Sequence, residues 1–208
     1  REFIEDVASR SSAPGGGSAS AAIAAMGAGL GSMVAKLTLG VRKFEDLDAK
    51  MRKHAGPLHH AANALIPMID ADTDAFKDYV EALRLPFVTK EEKNVKQERL
   101  QQGLKKAIDV PLTTMKLADA AWDAMIGIAE HGNIASKSDI EVGAKAMETG
   151  IWGAYKNVMI NLTDITDENF KHQTIKLAED MKTRAEQQFK RVVQVLEERP
   201  QSTPQVVL

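Results

Sequence analysis

The sequence has 208 residues, with 27 Lys or Arg against 29 Asp or Glu and a formal net charge of −2 at pH 7. This near-neutral balance argues against general nucleic-acid binding, which needs a basic surface. The chain has no Cys, which excludes disulfides, thiol nucleophiles and zinc–thiolate sites. Aromatic residues make up only 5%, and the apolar residues are weighted toward Ala, Met and Leu, so closely packed helices are favoured over a β-sandwich.

The N-terminal part predicts a short amphipathic helix over residues 3–9 and a loop over 11–18, because Pro14 and three consecutive Gly disfavour a helix. The chain starts at Arg1 rather than Met and shows no apolar signal segment, so we expect a piece of a longer intracellular polypeptide. A second helix is predicted over 19–39.

This second helix is rich in small residues, and no charged residue occurs between residues 11 and 35. The GxxxG spacing of Gly27 and Gly31 also occurs in membrane spans. A span needs about 20 predominantly apolar residues, and Gly interrupts this segment, so we expect a buried helix and no membrane span. Each Gly costs about 0.5–1 kcal/mol in a helix interior relative to Ala. A tight helix crossing or a subunit seam is therefore predicted at Gly27, Gly29, Gly31 and Gly40.

The middle of the chain predicts further helices with strong punctuation. A long helix over residues 45–83 is expected to kink or break at Pro57 and Pro67. Thr89 with Glu92 forms a capping box that opens the next helix. A further helix, with Pro111 inside it or at its start, is predicted to end at residue 132.

The C-terminal part begins with a second capping box, Ser138 with Glu141, which opens a helix to about residue 162. Thr166 is predicted to cap the last helix, which continues to about residue 199. Its apolar residues follow the steps of three and four of a coiled-coil-like stripe: Ile175, Ala178, Met181, Ala185, Phe189, Val192 and Leu196. We therefore predict an all-α fold, a multi-helix orthogonal or up-down bundle over residues 1–199, with a disordered tail over 200–208.

The segment from Pro14 to Ser18 opens onto a helix N-terminus, where free N–H groups and the helix dipole favour an anion or a polar ligand. Its spacing matches neither a dinucleotide fingerprint nor a P-loop. A plain helix–helix turn explains the same residues, and the sequence alone leaves both interpretations open.

Acidic residues recur at Asp70, Asp72 and Asp74. The spacing imitates a calcium-binding EF-hand loop, but the position that requires Gly holds Ala75. In a helix, Asp70 and Asp74 share one face, while Asp72 points elsewhere and can turn inward. A buried carboxylate needs a partner and can acquire a pKa suited to acid–base chemistry, or it can be purely structural. The five His show no metal-binding spacing, so we predict no metal site.

Asn157 and Asn161 lie one turn apart on a predicted helix. Inside a bundle, such a pair more often bonds the backbone or a neighbouring helix than a ligand. The sequence leaves both roles open.

Several short segments occur in a specific order along the chain: APGGGSASA at 13–21, LTLG at 37–40, DTDAF at 72–76, VPL at 110–112, GN at 132–133, SD at 138–139 and NVMINL at 157–162. Each is weak alone, but the ordered set is specific. It resembles the cyclodeaminase domain of formiminotransferase cyclodeaminase and the related bacterial methenyltetrahydrofolate cyclohydrolases.

The resemblance implies an all-helical homodimer, formed through helix packing, with its site near the subunit contact. It implies that N10 of N5-formiminotetrahydrofolate attacks the formimino carbon, that ammonia leaves and that 5,10-methenyltetrahydrofolate forms, with Asp72 as the general acid. Folate-binding candidates are Pro14, Gly15, Gly16, Gly17, Ser18, Lys36, Arg42, Lys43, Asn133, Asp139, Asn157 and Asn161. The basic residues Lys36, Arg42 and Lys43 are expected to meet a polyglutamate tail. No metal or redox cofactor is expected.

Three hypotheses describe the function: a cyclodeaminase, a cyclohydrolase that opens the methenyl bridge with water, and a helical scaffold or oligomerisation module without catalysis. Only the first two need Asp72. The resemblance further implies a formiminotransferase domain in the parent chain. It also implies a cytoplasmic location, with the Golgi and cytoskeletal association of vertebrate relatives.

Overall fold

Seven α-helices and three short 3-10 helices make up the computed structural model, which describes residues 1–200. The α-helices are α1 (Glu2–Val7), α2 (Gly16–Thr38), α3 (Asp48–Leu83), α4 (Lys90–Asp119), α5 (Trp122–His131), α6 (Lys137–Asn161) and α7 (Glu168–Glu198). No strand occurs within the described range, so the all-α prediction is confirmed. Residues 201–208 of the predicted disordered tail lie outside that range.

Helix α2 packs mainly against α3 and α6 and is the central helix of the bundle. It runs antiparallel to α3, because Ser18 near its start bonds to Asp72 while Lys36 near its end lies 3.5 Å from His59. This arrangement fixes which part of α3 faces the first turn of α2.

Of the four glycines predicted at a close helix crossing, two lie at such a crossing in the structure. A Cβ on Gly27 would lie 2.6 Å from the carbonyl O of Gly143 in α6, so only Gly allows the two backbones to come this close. Gly31 likewise contacts side chains of α3 and α5. Gly29 instead faces open space, and Gly40, with φ of 72°, follows the end of the helix. The predicted crossing is therefore confirmed only at Gly27 and Gly31.

Among the described residues, one helix, α2, is long and apolar enough to cross a membrane, with a mean hydropathy of 1.4. The core helix of a globular bundle meets the same criterion, and 61% of this stretch is buried inside the protein. The burial agrees with the expected buried helix.

Helix α3 does not break at its prolines. It runs from Asp48 to Leu83 with Pro57 and Pro67 inside, and the 3-10 helix Arg42–Leu47 replaces the predicted helix start near residue 45. Each Pro removes one backbone hydrogen bond, but both prolines are exposed, so water can satisfy the freed carbonyl groups. Of the predicted kink or break, the break is therefore wrong.

The predicted helix ending at residue 132 is in fact two helices. Helix α4 continues through Pro111 and ends at Asp119, and after a turn the separate helix α5 begins at Trp122. The turn places Trp122 in the core, where only 2% of it is exposed. This tertiary packing overrides the local helix propensity.

Of the three helix N-caps predicted at Thr89, Ser138 and Thr166, only the first is confirmed. Thr89 and Glu92 form the expected capping box, with the Glu92 N–H donating to Thr89 Oγ1 at 3.1 Å. The predicted cap at Ser138 is wrong, because α6 begins at Lys137 directly after the 3-10 helix Ile134–Ser136.

The start of α7 corrects the third cap. Asp167 rather than Thr166 caps the helix, and its side chain accepts from the Phe170 N–H at 3.0 Å. The Thr166 hydroxyl instead donates to Gln101 of α4 at 3.0 Å. The predicted apolar stripe of α7 is confirmed, since its residues are buried or pack against the core.

Candidate functional site

The first turn of α2 forms one side of the candidate site. Gly16, Gly17 and Ser18 belong to this turn, so the loop prediction is wrong for these three residues. Contacts with α3 and α6 outweigh the low helix propensity of Gly here. Gly15 precedes the turn in an extended conformation, and no side chain caps the helix. The first N–H groups of a helix lack intrahelical partners, and one of them binds Asp72.

The Asp72 carboxylate, in the second half of α3, meets this first turn. The Ser18 N–H donates to Asp72 Oδ2 at 2.8 Å, and Ser18 Oγ lies 3.0 Å from the same oxygen. Ser18 is fully buried, and its Oγ also lies 2.8 Å from the carbonyl O of Ile69 and 3.3 Å from Thr73 Oγ1. The single hydroxyl hydrogen can serve only one acceptor at a time. Among the described residues, no donor bonds Asp72 Oδ1.

Gly17 allows the carboxylate to come this close. A Cβ at this position would overlap the Asp72 carboxylate group. Any larger residue would therefore displace the carboxylate from Ser18, so the second Gly of the GGG run has a defined structural role.

The environment of Asp72 favours its neutral form. Burial raises the pKa of Asp72, while the side-chain and backbone hydrogen bonds from Ser18 oppose that rise. A carboxyl group with a raised pKa keeps its proton over a wider pH range, which suits a general acid.

Helix α6 forms the other side of the site. The side chain of Asn157 faces Gly16, where a Cβ would lie 3.4 Å from Nδ2, and this amide donates to the carbonyl O of Gly153 at 2.9 Å. Ser20 packs closely on Gly153 and donates to the carbonyl O of Gly16 at 2.6 Å. These contacts hold Asn157 beside the start of α2 and leave its Oδ1 without a donor among the described residues.

Apart from Asn161, the predicted site residues thus form two groups. The first group lies together at the start of α2 and consists of Pro14, Gly15, Gly16, Gly17, Ser18, Asp72 and Asn157. The second lies toward the opposite end of α2 and consists of Lys36, Arg42, Lys43, Asn133 and Asp139. Lys36 is about 27 Å from Ser18 along α2, at about 1.5 Å per residue.

Two of the Asn candidates make structural hydrogen bonds. Asn133 accepts from the Ala135 N–H at 3.1 Å, and its own N–H donates to Thr38 Oγ1 at 3.0 Å. Asn161 donates to the carbonyl O of Ala107 at 3.1 Å and so links α6 to α4.

Thr73 and Ser20 belong to the site, although the sequence does not single them out as candidate site residues. Thr73 touches the Ser18 hydroxyl, and Ser20 supports the first turn of α2. In the sequence, these two hydroxyl residues could have been found by their position close to the motif residues Asp72 and Ser18. Within residues 1–200, no three His, Asp or Glu side chains lie together as a metal site.

The formiminotransferase-cyclodeaminase family model matches residues 1–180. The chain belongs to this family. The formimidoyltransferase-cyclodeaminase of Gallus gallus is 46% identical over 95% of the chain, and that of Dictyostelium discoideum is 47% identical over 96%. The chain spans 36% of the length of each of these two relatives.

Two further proteins match over most of their length. The methenyltetrahydrofolate cyclohydrolase of Methylorubrum extorquens is 34% identical, and the match covers 86% of both chains. The crystal structure of formiminotetrahydrofolate cyclodeaminase from Thermotoga maritima matches with a TM-score of 0.82 at 28% identity, covering 94% of both chains. The resemblance read from the motifs is therefore confirmed at the level of the family.

Proposed function

We propose that this chain is a formimidoyltetrahydrofolate cyclodeaminase, which converts N5-formiminotetrahydrofolate into 5,10-methenyltetrahydrofolate and ammonia. Family membership and the names of the relatives at 46–47% identity support this activity. The observation that carries the proposal is the half-buried Asp72 carboxyl group, held by Ser18 at the start of α2 and with a raised pKa.

The reaction requires proton delivery to one atom. N10 of the folate attacks the formimino carbon, and the C=N electron pair moves to the formimino nitrogen. This nitrogen receives the N10 proton and one further proton, the C–N bond breaks, and ammonia leaves the methenyl bridge. Because N10 and the formimino carbon belong to one molecule, holding them in near-attack geometry supplies much of the rate.

Asp72 is the general acid in this proposal. Both hydrogen bonds from Ser18 go to Oδ2, so Oδ1 is available to carry the proton to the leaving nitrogen. The free N–H groups of the first turn of α2 and Asn157 Oδ1 bind the polar edge of the pterin. The reaction proceeds by acid–base chemistry and requires no metal or redox cofactor. Lys36, Arg42 and Lys43 are then candidates for distal contacts with a long polyglutamate tail, and Asn133 and Asp139 stay candidates for orienting the ligand.

Asp72→Asn tests this role directly. Asn keeps an oxygen that accepts from Ser18 but cannot supply the proton, so turnover is expected to fall about 10²–10⁴-fold. Thermal stability is expected to be retained, because burying a neutral amide is less costly than burying a charge. The measurement follows methenyltetrahydrofolate absorbance and ammonia release together after adding N5-formiminotetrahydrofolate.

Asp70→Asn is the matched control, because Asp70 is an exposed carboxylate on the same helix. It is expected to keep wild-type turnover. Equal turnover in Asp72→Asn and wild type would contradict the role of Asp72. A folded wild-type protein that does not exceed the spontaneous cyclisation rate would contradict the cyclodeaminase proposal itself.

A cyclohydrolase is the second candidate, favoured by the Methylorubrum extorquens relative that matches over 86% of both chains. In that case water adds to the methenyl carbon, and the bridge opens to a formyl group. The same preparation would then consume methenyltetrahydrofolate and would release no ammonia from the formimino substrate. A protein without either activity would support the scaffold hypothesis.

We further propose that the chain forms a homodimer through the exposed face of α2. This face carries Met26, Met33 and Leu37, which are 60%, 37% and 54% exposed. Gly29 lies among them, and a Cβ there would have no neighbour within 4 Å. Gly29→Glu is therefore expected to leave the subunit folded but to convert dimer into monomer in sedimentation velocity. Dimers that persist in this variant would contradict the proposed interface.

The names of the relatives also support a formiminotransferase region in the native polypeptide. The resemblance supports a cytoplasmic location with Golgi or cytoskeletal association. Fluorescent tagging of the native gene product would test the location, and a diffuse cytosolic signal would contradict the association.

A further inference from the structure

A groove of about 430 Å³ lies between residues 11–13 and the outer face of α3, and its lining includes Thr73, the residue after Asp72. Thr73 lines one end, and its Oγ1 is 3.3 Å from the Ser18 Oγ that contacts the Asp72 carboxylate. Arg84 lines the other end, about 16 Å further along α3 at about 1.5 Å per residue. The groove therefore starts at the residue next to the candidate catalytic group and leads away from it.

The floor of the groove is one stripe of α3. Thr73, Phe76, Val80 and Arg84 follow steps of three and four, so they share a helix face. Phe76 is 39% exposed, although a large aromatic side chain gains most when it is buried. An exposed aromatic ring followed by Val80 offers an apolar surface for a flat ring.

The charges change along the same stripe. Lys77 is paired with Asp74 at 3.1 Å, which satisfies part of its charge. Arg84, at the far end, has no ion pair with any residue in the described range. Glu81 also lines the groove, and its carboxylate repels an anion that lies near it. An anionic group is therefore best accommodated at Arg84, beyond the apolar part of the groove.

We propose that this groove binds the p-aminobenzoyl-glutamate part of the folate, with the benzoyl ring on Phe76 and Val80 and a glutamate carboxylate on Arg84. The proposal rests on the proposed function, because it takes the pterin to lie at Asp72. The order of groups in the ligand matches the order in the groove: reacting atoms, aromatic ring, carboxylates. A guanidinium binds a carboxylate through two parallel hydrogen bonds, so Arg84 is suited to this end.

The groove gives the ligand a direction along the bundle. From Asp72 it leads toward the C-terminal end of α3, whereas Lys36, Arg42 and Lys43 lie toward the N-terminal end of that helix. The glutamates nearest the ring cannot reach both ends. A ligand with a single glutamate can therefore bind at Arg84 or at Lys36 but not at both, and variants of the two residues distinguish these alternatives.

The test uses p-aminobenzoyl-L-glutamate alone, titrated into the full chain and followed by NMR up to millimolar concentration. Arg84→Ala is expected to weaken binding about five- to tenfold, since it removes a charge-assisted contact. Glu81→Gln is expected to tighten binding about two- to threefold by removing a like charge. Phe76→Ala is expected to weaken both this probe and p-aminobenzoate, which lacks the glutamate.

Lys176→Ala, on the exposed surface of α7, serves as the control and is expected to leave binding unchanged. The proposal is overturned if wild type shows no saturable shifts. It is also overturned if Arg84→Ala binds as wild type does, or if Lys36→Ala alone weakens binding. Because the probe has no reacting group, a wild type that binds it but does not release ammonia would refute the proposed function and leave the groove assignment standing.

Discussion

The Asp72 carboxyl group is subject to two opposing effects at the start of α2. Burial disfavours the charged form, while the Ser18 N–H and hydroxyl groups stabilise it. Burial is the larger effect, so the pKa of Asp72 is raised, and the two hydrogen bonds from Ser18 limit the rise. Ser18 is fully buried, so under the proposed function it would act on the folate through Asp72 rather than by direct contact.

Ser18→Ala is expected to raise the pKa of Asp72 further, because the hydroxyl donor is lost and the backbone donor stays. If the protonated form is active, the alkaline limb of the kcat–pH profile moves to higher pH. Folding stability is expected to fall by about 1 kcal/mol. The measurement is kcat against pH, with unfolding midpoints in parallel.

Ser32→Ala is the matched control, since Ser32 is a buried hydroxyl of α2 with no hydrogen-bond partner within residues 1–200. Its kcat–pH profile is expected to stay at the wild-type position. A profile of Ser18→Ala that coincides with wild type would show that the hydroxyl does not influence Asp72.

The sequence identifies Ser18 and Asp72 as candidates but not their direct contact. The two residues are 54 positions apart, and they meet only because of the register between α2 and α3. No local pattern specifies that register, so the sequence predicts Ser18 as a ligand-binding residue without predicting its hydrogen bonds to Asp72. The adjacent Gly17 shows the same limit, because its need for Gly comes from the Asp72 side chain of another helix.

At the scale of helices, the sequence predicts the presence of a helix more readily than the residues at which the helix begins and ends. The periodicity of α7 and the capping box of α4 are local features, and both are found in the structure. The continuity of α3 through Pro57 and Pro67 and the turn before Trp122 depend on exposure and core packing. Those non-local effects account for the wrong boundaries.

The crossing of α2 and α6 makes a prediction at this scale. Gly27→Ala places a methyl group 2.6 Å from the Gly143 carbonyl O and 2.7 Å from the Met147 N, both backbone atoms. The helices must move apart, so the free energy of unfolding is expected to fall by about 1–3 kcal/mol. Urea denaturation followed by circular dichroism measures the change.

Gly16→Ala is the paired variant on the same helix. Its Cβ would lie 3.4 Å from Asn157 Nδ2, an ordinary contact, and Ala has the higher helix propensity. The free energy of unfolding is expected to stay level or to rise by about 0.5–1 kcal/mol. Equal destabilisation by both variants would argue against a specific close crossing at Gly27.

On the scale of the whole molecule, α3, α5 and the end of α7 meet far from Asp72. The His54 ring packs over Gly127 of α5, where a Cβ would overlap it. Arg199, just after α7, donates to the carbonyl groups of Ala129 and Gly132, each at 2.8 Å. These contacts join the first half of α3 to the C-terminal end of the described chain.

Two histidines at this junction have lowered pKa values. Burial is the largest cause for both, and it is reinforced by Lys53 for His54 and by Lys50 for His131, while Glu130 opposes the shift in each case. The unfolded chain therefore binds more protons than the folded chain as pH falls below the ordinary His range. Stability is lost as pH decreases through this range. The raised pKa of Asp72 has the opposite sign, since the stability it contributes is lost as pH rises.

The free energy of unfolding is accordingly expected to decrease between about pH 7 and pH 5, where ordinary His residues titrate. His131→Gln removes one of the two groups, so this variant is expected to show a shallower decrease. His172→Gln, at an exposed position of α7, is expected to keep the wild-type slope. Urea denaturation at several pH values measures the slopes. The same measurements in the Asp72→Asn background remove the opposing contribution of the Asp72 carboxyl group. A His131→Gln slope equal to that of wild type would show that protonation at the junction of α3, α5 and α7 does not control the acid stability of the bundle.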